Sequence, residues 1–352
     1  MKIHINARAG LGDTVYFFSI IQTLLKYIKT VDISAICWNT AQELYSSQLP
    51  LRQIINANDL VNVMGKGWSH TSARAKKIFA DKIGKVDYYI DLQAKQSYLN
   101  ETLSVEANTR IAVNPETSMT DYYDVVIRTM PDEHILETYR RMLSEVFGIA
   151  QYIEPGRFVE IPELGSKVDR ITELLLKKER RPVVCIHPGA KGLEKLWNVL
   201  HWGQVVNWLI NERNFQPVIL GSSLRFAGMS PILDIPSAQA IQLLSYDKAL
   251  DMAGKTESVL FLIELIRRAQ LYIGLDTGPT HIAAVCGVPT LELFKRESPA
   301  QYSAWRARGD KVVTIVEDSM DLITPERVIA QLQDWQALKD VSIRRQVTNT
   351  RG

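Results

Sequence analysis

Short runs of β-forming apolar residues alternate with helical stretches along almost the whole chain, and that alternation admits few folds. "KIHINA" (2–7) reads as a strand, and "LGD" turns it into "TVYFFSIIQTLLKYI", apolar at helical spacing. "VDISAICW" (31–38) is the next strand. "LRQIINANDLVNVMG" (51–65) predicts a helix or turn followed by a strand, and "SARAKKIFADKIGK" (72–85) a basic amphipathic segment. Strands are expected at "VDYYIDLQ" (86–93), "TRIAVN" (109–114) and "YDVVIRT" (123–129), then a long helix over 132–149 that ends near Gly148. Strands separated by helices pair in parallel, so the expectation is an α/β chain with its sheet covered by helices.

The pattern breaks once and restarts. Residues 150–166, "AQYIEPGRFVEIPELGS", carry two prolines and two glycines without a helical period, and read as a linker. Beyond it come strand "PVVCIHP", helix "LHWGQVVNWLINER", strand "QPVILGS", helix "SVLFLIELIRRA", strand "QLYIGL", helix "PTHIAAVC" and strand "PTLELF". The helix "TPERVIAQLQDWQALK" closes the series. The division expected is a domain over 1–160, a second over 167–335 and a tail over 336–352. A length of 352 residues accommodates two ordinary domains. Two such halves place a ligand cleft between them.

Charge narrows the partners. The 41 basic and 39 acidic residues leave a net charge of +2, which makes no case for nucleic acid. Cys37, Cys185 and Cys286 are scattered through apolar runs, without a CxxC or Cys/His cluster, so neither a structural zinc nor any other resident metal or cofactor is expected. They read as reduced thiols of a cytoplasmic protein. The first residues show no apolar signal core, and no run of ~18 apolar residues is present to span a membrane. A peripheral contact with the membrane surface stays open.

Three loops leave strand ends with unusual chemistry. In "YIGLDTGPTHIAAVCGVPTLELF" an apolar run stops at Asp276, Thr277 and Gly278, and resumes after His281. Pro279 suits a first helical turn, with Thr277 or Gly278 as the cap. The free N–H groups and positive end of such a helix favour phosphate. In "CIHPGAKGLEKLWNVLHW" a loop containing Gly189 and Ala190 precedes Lys195 and Trp197. A lysine there can neutralise a leaving diphosphate. In "ARAGLGDTV", Gly10 and Gly12 precede Asp13, but Val15 stands where a dinucleotide fingerprint needs its third glycine. Asp13 facing a ligand cleft would be placed as a general base. Singly, each loop also fits a blander role: a capped turn, a solvated lysine, or an acid compensating a helix dipole.

Together, "GLGDTV", "HPGAKGLEKLW" and "GKTESVLFLIELIRRAQLYIGLDTGPTHIAAVCGVPTLELF" resemble the bacterial heptosyltransferases of glycosyltransferase family nine, and "DLQ" at 91–93 resembles their acceptor-domain strand. The resemblance implies a GT-B fold: two Rossmann-like, doubly wound domains facing across a cleft, acceptor on the N-terminal one and nucleotide sugar on the other. It implies inverting, metal-independent transfer of heptose from ADP-heptose to a lipopolysaccharide core acceptor, an anionic glycolipid at the inner membrane. No D-x-D motif is present. The implied catalytic set is Asp13 as base with Lys195 and His281. The implied donor set is Gly189, Ala190, Lys195, Asp276, Thr277, Gly278 and His281. Arg8, Gly12 and Gln93 would bind acceptor, with Arg74 and Lys77 of the basic segment docking the glycolipid. The chain departs from the family pattern at Ser19, where proline is usual. It departs again at Gly189-Ala190-Lys191, where hydroxyl residues are usual, and at "FKRESPAQY", where a small glycine-containing loop is usual. Competing readings are a protein or other glycan transferase of the same family, a nucleotide-sugar epimerase of similar fold, and a non-catalytic nucleotide-sugar binder.

Overall fold

The computed structural model describes residues 1–59, 73–151, 158, 161–175, 181–222, 234–256 and 258–335. The expected tail over 336–352 lies outside them. The chain forms two compact units, Met1–Gly156 with Ser303–Trp305, and Arg157–Tyr302 with Arg306–Gly352.

In the first unit, strands β1 (Lys2–Asn6), β2 (Asp32–Cys37), β3 (Gln53–Asn56), β4 (Val86–Asp91), β5 (Ala107–Val113) and β6 (Val125–Ile127) form one sheet. Its order is β3-β2-β1-β4-β5-β6, every pairing parallel. Helices α1 (Leu11–Tyr27), α2 (Asn39–Gln48), α3 (Ala73–Ile83), α4 (Leu99–Ser104) and α5 (Ile135–Phe147) make the connections. Helix α5 stops at Gly148, whose φ of 66° is the left-handed conformation that glycine adopts without a Cβ clash.

The second unit repeats the plan. Helix α6 (Pro162–Leu175) leads into β7 (Val183–His187), α7 (Val199–Asn211), β8 (Gln216–Ile219), α8 (Asp234–Leu244) and β9 (Leu250–Asp251). Then follow in chain order α9 (Val259–Arg267), β10 (Leu271–Leu275), α10 (Gly278–Val285), β11 (Thr290–Lys295), α11 (Pro299–Trp305, of which Ser303–Trp305 counts with the first unit), β12 (Val312–Glu317) and α12 (Pro325–Asp334). The sheet order is β12-β11-β10-β7-β8-β9, again parallel throughout. Counted within its own unit, each sheet has the order 3-2-1-4-5-6 of a doubly wound Rossmann fold. Strand β10 is buried at every position, as a strand covered on both faces must be.

Two expectations are corrected. The strand within 51–65 comes first, at Gln53–Asn56, and a helical turn follows it. Its β-branched pair Ile54-Ile55 carries the strand signal; the residues from 60 on lie outside the described part. The linker reading of 150–166 fails from Pro162, which opens helix α6. Proline at a first helical turn loses no hydrogen bond, so it starts this helix rather than breaking it. Strand β12 was not anticipated: it lies at the sheet edge, mostly half-buried, without an alternating apolar pattern.

Candidate functional site

A doubly wound sheet has one place where the connections change direction, and ligands gather beyond the carboxyl ends of the strands there. In the first unit that place lies between β1 and β4, where Asn6 stands beside Asp91. In the second it lies between β7 and β10, where His187 stands beside Gly274. All three unusual loops of the sequence leave strands at these two switch points.

At the second switch point Trp197 sets the geometry. Its indole is buried and donates from Nε1 to the Ile323 carbonyl at 2.7 Å, while its ring meets Trp202 edge-on. This anchors the loop after β7, and the short 3-10 turn Leu193–Lys195 presents Lys195 beside the end of β10. Lys195 Nζ donates to Asp276 Oδ2 at 2.7 Å, and His281 Nε2 lies 3.8 Å from Asp276 Oδ1. Burial alone would raise the Asp276 carboxyl. His281 beside it and the charge of Lys195 outweigh it and hold Asp276 below the ordinary carboxylate range. Burial alone would lower the Lys195 ammonium, but Asp276 beside it raises it further, so it stays charged at neutral pH.

Thr277 is the N-cap of α10, yet its side chain does not cap. Its hydroxyl meets His187 Nδ1 at 3.1 Å and the Leu275 carbonyl at 3.3 Å. Pro279 has no N–H, and the N–H groups of Thr280 and His281 return to the Thr277 carbonyl at 3.0 and 3.4 Å. The start of the helix therefore keeps its positive dipole end uncapped by the Thr277 side chain. Gly274 has no room for a side chain: a Cβ would stand 2.7 Å from the Tyr272 ring and 2.8 Å from Thr280 Oγ1. Gly189 and Ala190, two and three residues after His187, are buried at the same strand end. The seven residues of the expected donor set thus come together at one strand edge.

Beneath them lies Glu292, on β11 beside Gly274. It is fully buried and accepts from the Ala307 N–H at 3.0 and 3.2 Å and from Thr314 Oγ1 at 2.9 Å. Burial, then the nearby Asp276 charge, push its carboxyl up to about 7.

The first switch point is built differently. Asp91 is buried and accepts from Asn6 Nδ2 at 2.8 Å, Tyr123 Oη at 2.8 Å and the Gln93 N–H at 3.3 Å. Burial raises its carboxyl more than these donors lower it. Arg8, only 2% exposed, pairs through Nη1 with Glu101, donates from Nε to Asn6 Oδ1 at 2.9 Å, and lies 3.7 Å above the Tyr98 ring. Its Nη2 is buried and has no hydrogen-bond partner among the described residues. The guanidinium expected to bind acceptor is thus committed inside the unit. Asp13 and Gly12 are half-buried in the first turn of α1, and an Asp13 carboxylate oxygen lies 3.8 Å from where a Gly10 Cβ would be. Gln93 is half-buried just past β4. Arg8, Gly12, Asp13 and Gln93 therefore share one strand edge.

The basic segment is not part of that edge in full. Lys77 is exposed on α3; the side chain of Arg74, in the same helix, lies outside what the structure describes. Helices of a parallel sheet run back against the strands, so Lys82 and Lys85 lead to the amino edge, where Lys85 pairs with Glu106 at 2.6 Å. The reading of the sequence missed His187, whose only signal was its place at the end of "CIH". It also missed Glu101 and Glu292, single acids in apolar runs whose partners are far away in sequence. Among the described residues no group of three His, Cys, Asp or Glu side chains is placed to hold a metal ion, and no helix is long and apolar enough to cross a membrane.

Comparison with known proteins agrees with this architecture. The model of glycosyltransferase family 9 (heptosyltransferase) matches residues 82–327. That span holds the whole second switch point; the loop with Asp13 precedes it. The lipopolysaccharide core heptosyltransferase OpsX of Haemophilus influenzae is 21% identical over 88% of this chain and 83% of that protein. Among solved structures, E. coli ADP-heptose lps heptosyltransferase II superposes with a TM-score of 0.73 at 19% identity, covering 97% of this chain and all of that one. E. coli heptosyltransferase WaaC with ADP gives 0.69 at 13%, covering 95% and 99%. These likenesses give the fold as GT-B. With the family model matched over well over half of its length, the chain belongs to glycosyltransferase family 9, the heptosyltransferases, and is a glycosyltransferase.

Proposed function

We propose that this enzyme moves a heptose from ADP-heptose to an acceptor of the lipopolysaccharide core, with inversion and without an essential metal. The observation that carries the reading is the Lys195–Asp276–His281 cluster at the uncapped start of α10. Bond breaking at the anomeric carbon leaves an oxocarbenium-like sugar and growing negative charge on the departing diphosphate. Lys195, His281 and the α10 N-terminus supply positive charge for it, and Gly189, Ala190, Thr277 and Gly278 let the backbone approach the phosphates. Asp276 orients sugar hydroxyls. Asp13 takes the proton of the attacking acceptor hydroxyl. Gly12 and Gln93 line the acceptor side, and Arg8 shapes it from within. Lys77 and Arg74 serve as contacts for the anionic glycolipid at the cytoplasmic membrane surface. Two relatives support the donor and acceptor: OpsX is named as a lipopolysaccharide core enzyme, and WaaC was solved with ADP.

A donor panel tests the reading. ADP should raise the melting temperature of the full chain by ligand linkage more than UDP, GDP or CMP does. Transfer from ADP-heptose to deacylated core oligosaccharide should survive a chelator. Preference for another nucleotide would remove ADP, and activity lost in EDTA and restored by Mg²⁺ would remove the metal-free scheme. Turnover of the nucleotide sugar without any acceptor would favour the epimerase.

A further inference from the structure

A cavity of about 600 Å³ opens where β11 and β12 end, lined by Lys295, Arg296, Glu297, Ser298, Pro299 and Asp318. Its charged groups are not equivalent. Arg296 is committed, because Nε and Nη2 both reach Asp318 Oδ1 at 2.8 Å. Ser298 accepts from the Gln301 N–H at 3.1 Å. Glu297 adds to the negative field that keeps Lys195 charged. Lys295 is half-buried, and no carboxylate among the described residues pairs with it. With Arg296 and Asp318 paired to each other and Glu297 exposed to water, Lys295 is the cation of this lining left to meet an anion.

The position gives that anion a source. Strand β11 is the sheet neighbour of β10, which delivers Asp276 and Thr277. The turn carrying Lys195 rests on β11. Lys295 thus ends the strand next to the one that carries the Asp276 and Thr277 loop.

We propose that this cavity is a phosphate subsite, with Lys295 as the counter-charge to a phosphate group of a substrate and the Arg296–Asp318 pair as its wall. The inference deepens the glycosyltransferase reading and rests on it for the substrate. The phosphate comes from the diphosphate of the donor or from a phosphorylated acceptor sugar, and the two are separable by experiment.

Full-length wild type, Lys295→Ala and Lys295→Arg are titrated calorimetrically with ADP and with inorganic pyrophosphate. The acceptor KM is measured with deacylated core oligosaccharide, intact and dephosphorylated. Lys295→Ala should weaken ADP and pyrophosphate about ten-fold, the usual scale for one charge-assisted contact, and Lys295→Arg should recover most of it. Melting temperatures of the three proteins should agree, since the side chain is half-exposed. A raised KM for the phosphorylated oligosaccharide alone, with ADP unchanged, places the acceptor phosphate in the subsite. Unchanged constants for ADP, pyrophosphate and acceptor overturn the proposal while leaving the donor reading intact. Wild type that binds pyrophosphate through Lys295 but not ADP keeps the subsite and removes the ADP donor.

Discussion

The two switch points have one strand order and use charge in opposite ways. In the first unit, Arg8 and Glu101 are each 2% exposed, closed in by Tyr98, and Asp91 is held by Asn6 and Tyr123. In the second, Lys195 and Asp276 are 27% and 13% exposed, at the lip of a helix start. A sealed pair has already lost its water and cannot change partners without a large cost. A half-buried pair with one side open to water keeps part of its hydration and can exchange its partner for an incoming anion more readily than a sealed one. The same topology thus yields a scaffold at one strand edge, beside which Gly12, Asp13 and Gln93 are half-buried, and a set of exchangeable charges at the other.

Substitutions on either side can break this contrast. The largest effect is expected for Asp13→Asn, which keeps size and removes the proton acceptor: kcat should fall by about 10²–10⁴ with ADP affinity and melting temperature nearly unchanged. Near-normal turnover would return Asp13 to dipole compensation. Lys195→Ala should lower kcat by about 10²–10³, without unfolding the protein. Arg8→Ala should behave in the opposite manner. It removes the ion pair of buried Glu101, so stability should fall by about 3–5 kcal/mol, and the double variant Arg8→Met, Glu101→Leu should recover most of it. If Arg8→Ala instead raised the acceptor KM at unchanged stability, the sealed-scaffold view of the first switch point would be wrong.

Acid titration sharpens the contrast further. Burial, then the charge of Arg8, hold the imidazole of His4 down at about 3 in the first unit. Its unfolded value is near 6.5, so its contribution to stability is present above that value and is lost as pH falls from 6.5 toward 3. Glu292 has the opposite sign. Its folded carboxyl is raised to about 7 against an unfolded value of 4.5, so protonation stabilises the fold as pH falls from 7 toward 4.5. Asp276 is depressed, and its contribution is lost only as pH falls below the ordinary carboxylate range. Subtracting the melting profile of Glu292→Gln from that of wild type between pH 8 and 4.5 should leave a difference that grows in favour of wild type on acidification. A flat difference would mean that Glu292 is ionised throughout. The smallest effect is expected for Thr277→Val, which removes the hydroxyl from His187 and should cost about 1 kcal/mol in stability, read as a shift of the denaturant midpoint.

The second switch point was the more legible one. Asp276, Thr277, Gly278, Pro279 and His281 are contiguous, so a cap, a first-turn proline and a histidine one turn in could be read as a single helix start. Lys195 could be placed by its position in a glycine-containing loop between a strand and a helix. At the first switch point the informative contacts run from Asn6 to Asp91 and from Arg8 to Glu101, separated by 85 and 93 residues. No local pattern links such residues, and Arg8 reads as a free basic residue beside a glycine-rich turn. The linker reading failed at Pro162 for a related reason: proline breaks a helix inside but begins one at its end, and only the helix itself distinguishes the two.

The sequence by itself determined the class of fold, because strand and helix periodicities differ and their alternation forces parallel pairing with helical crossovers. It also determined which loops carry chemistry, since glycine, proline and capping residues act locally. Tertiary structure alone decided which charges are spent inside the protein. Ion pairing falls off over a few ångströms and depends on the water excluded around it, and both are properties of packed neighbours rather than of chain order. Arg8 and Lys195 are each one basic residue after a strand. Packing sealed Glu101 and Tyr98 around the first and left the second half-buried beside Asp276.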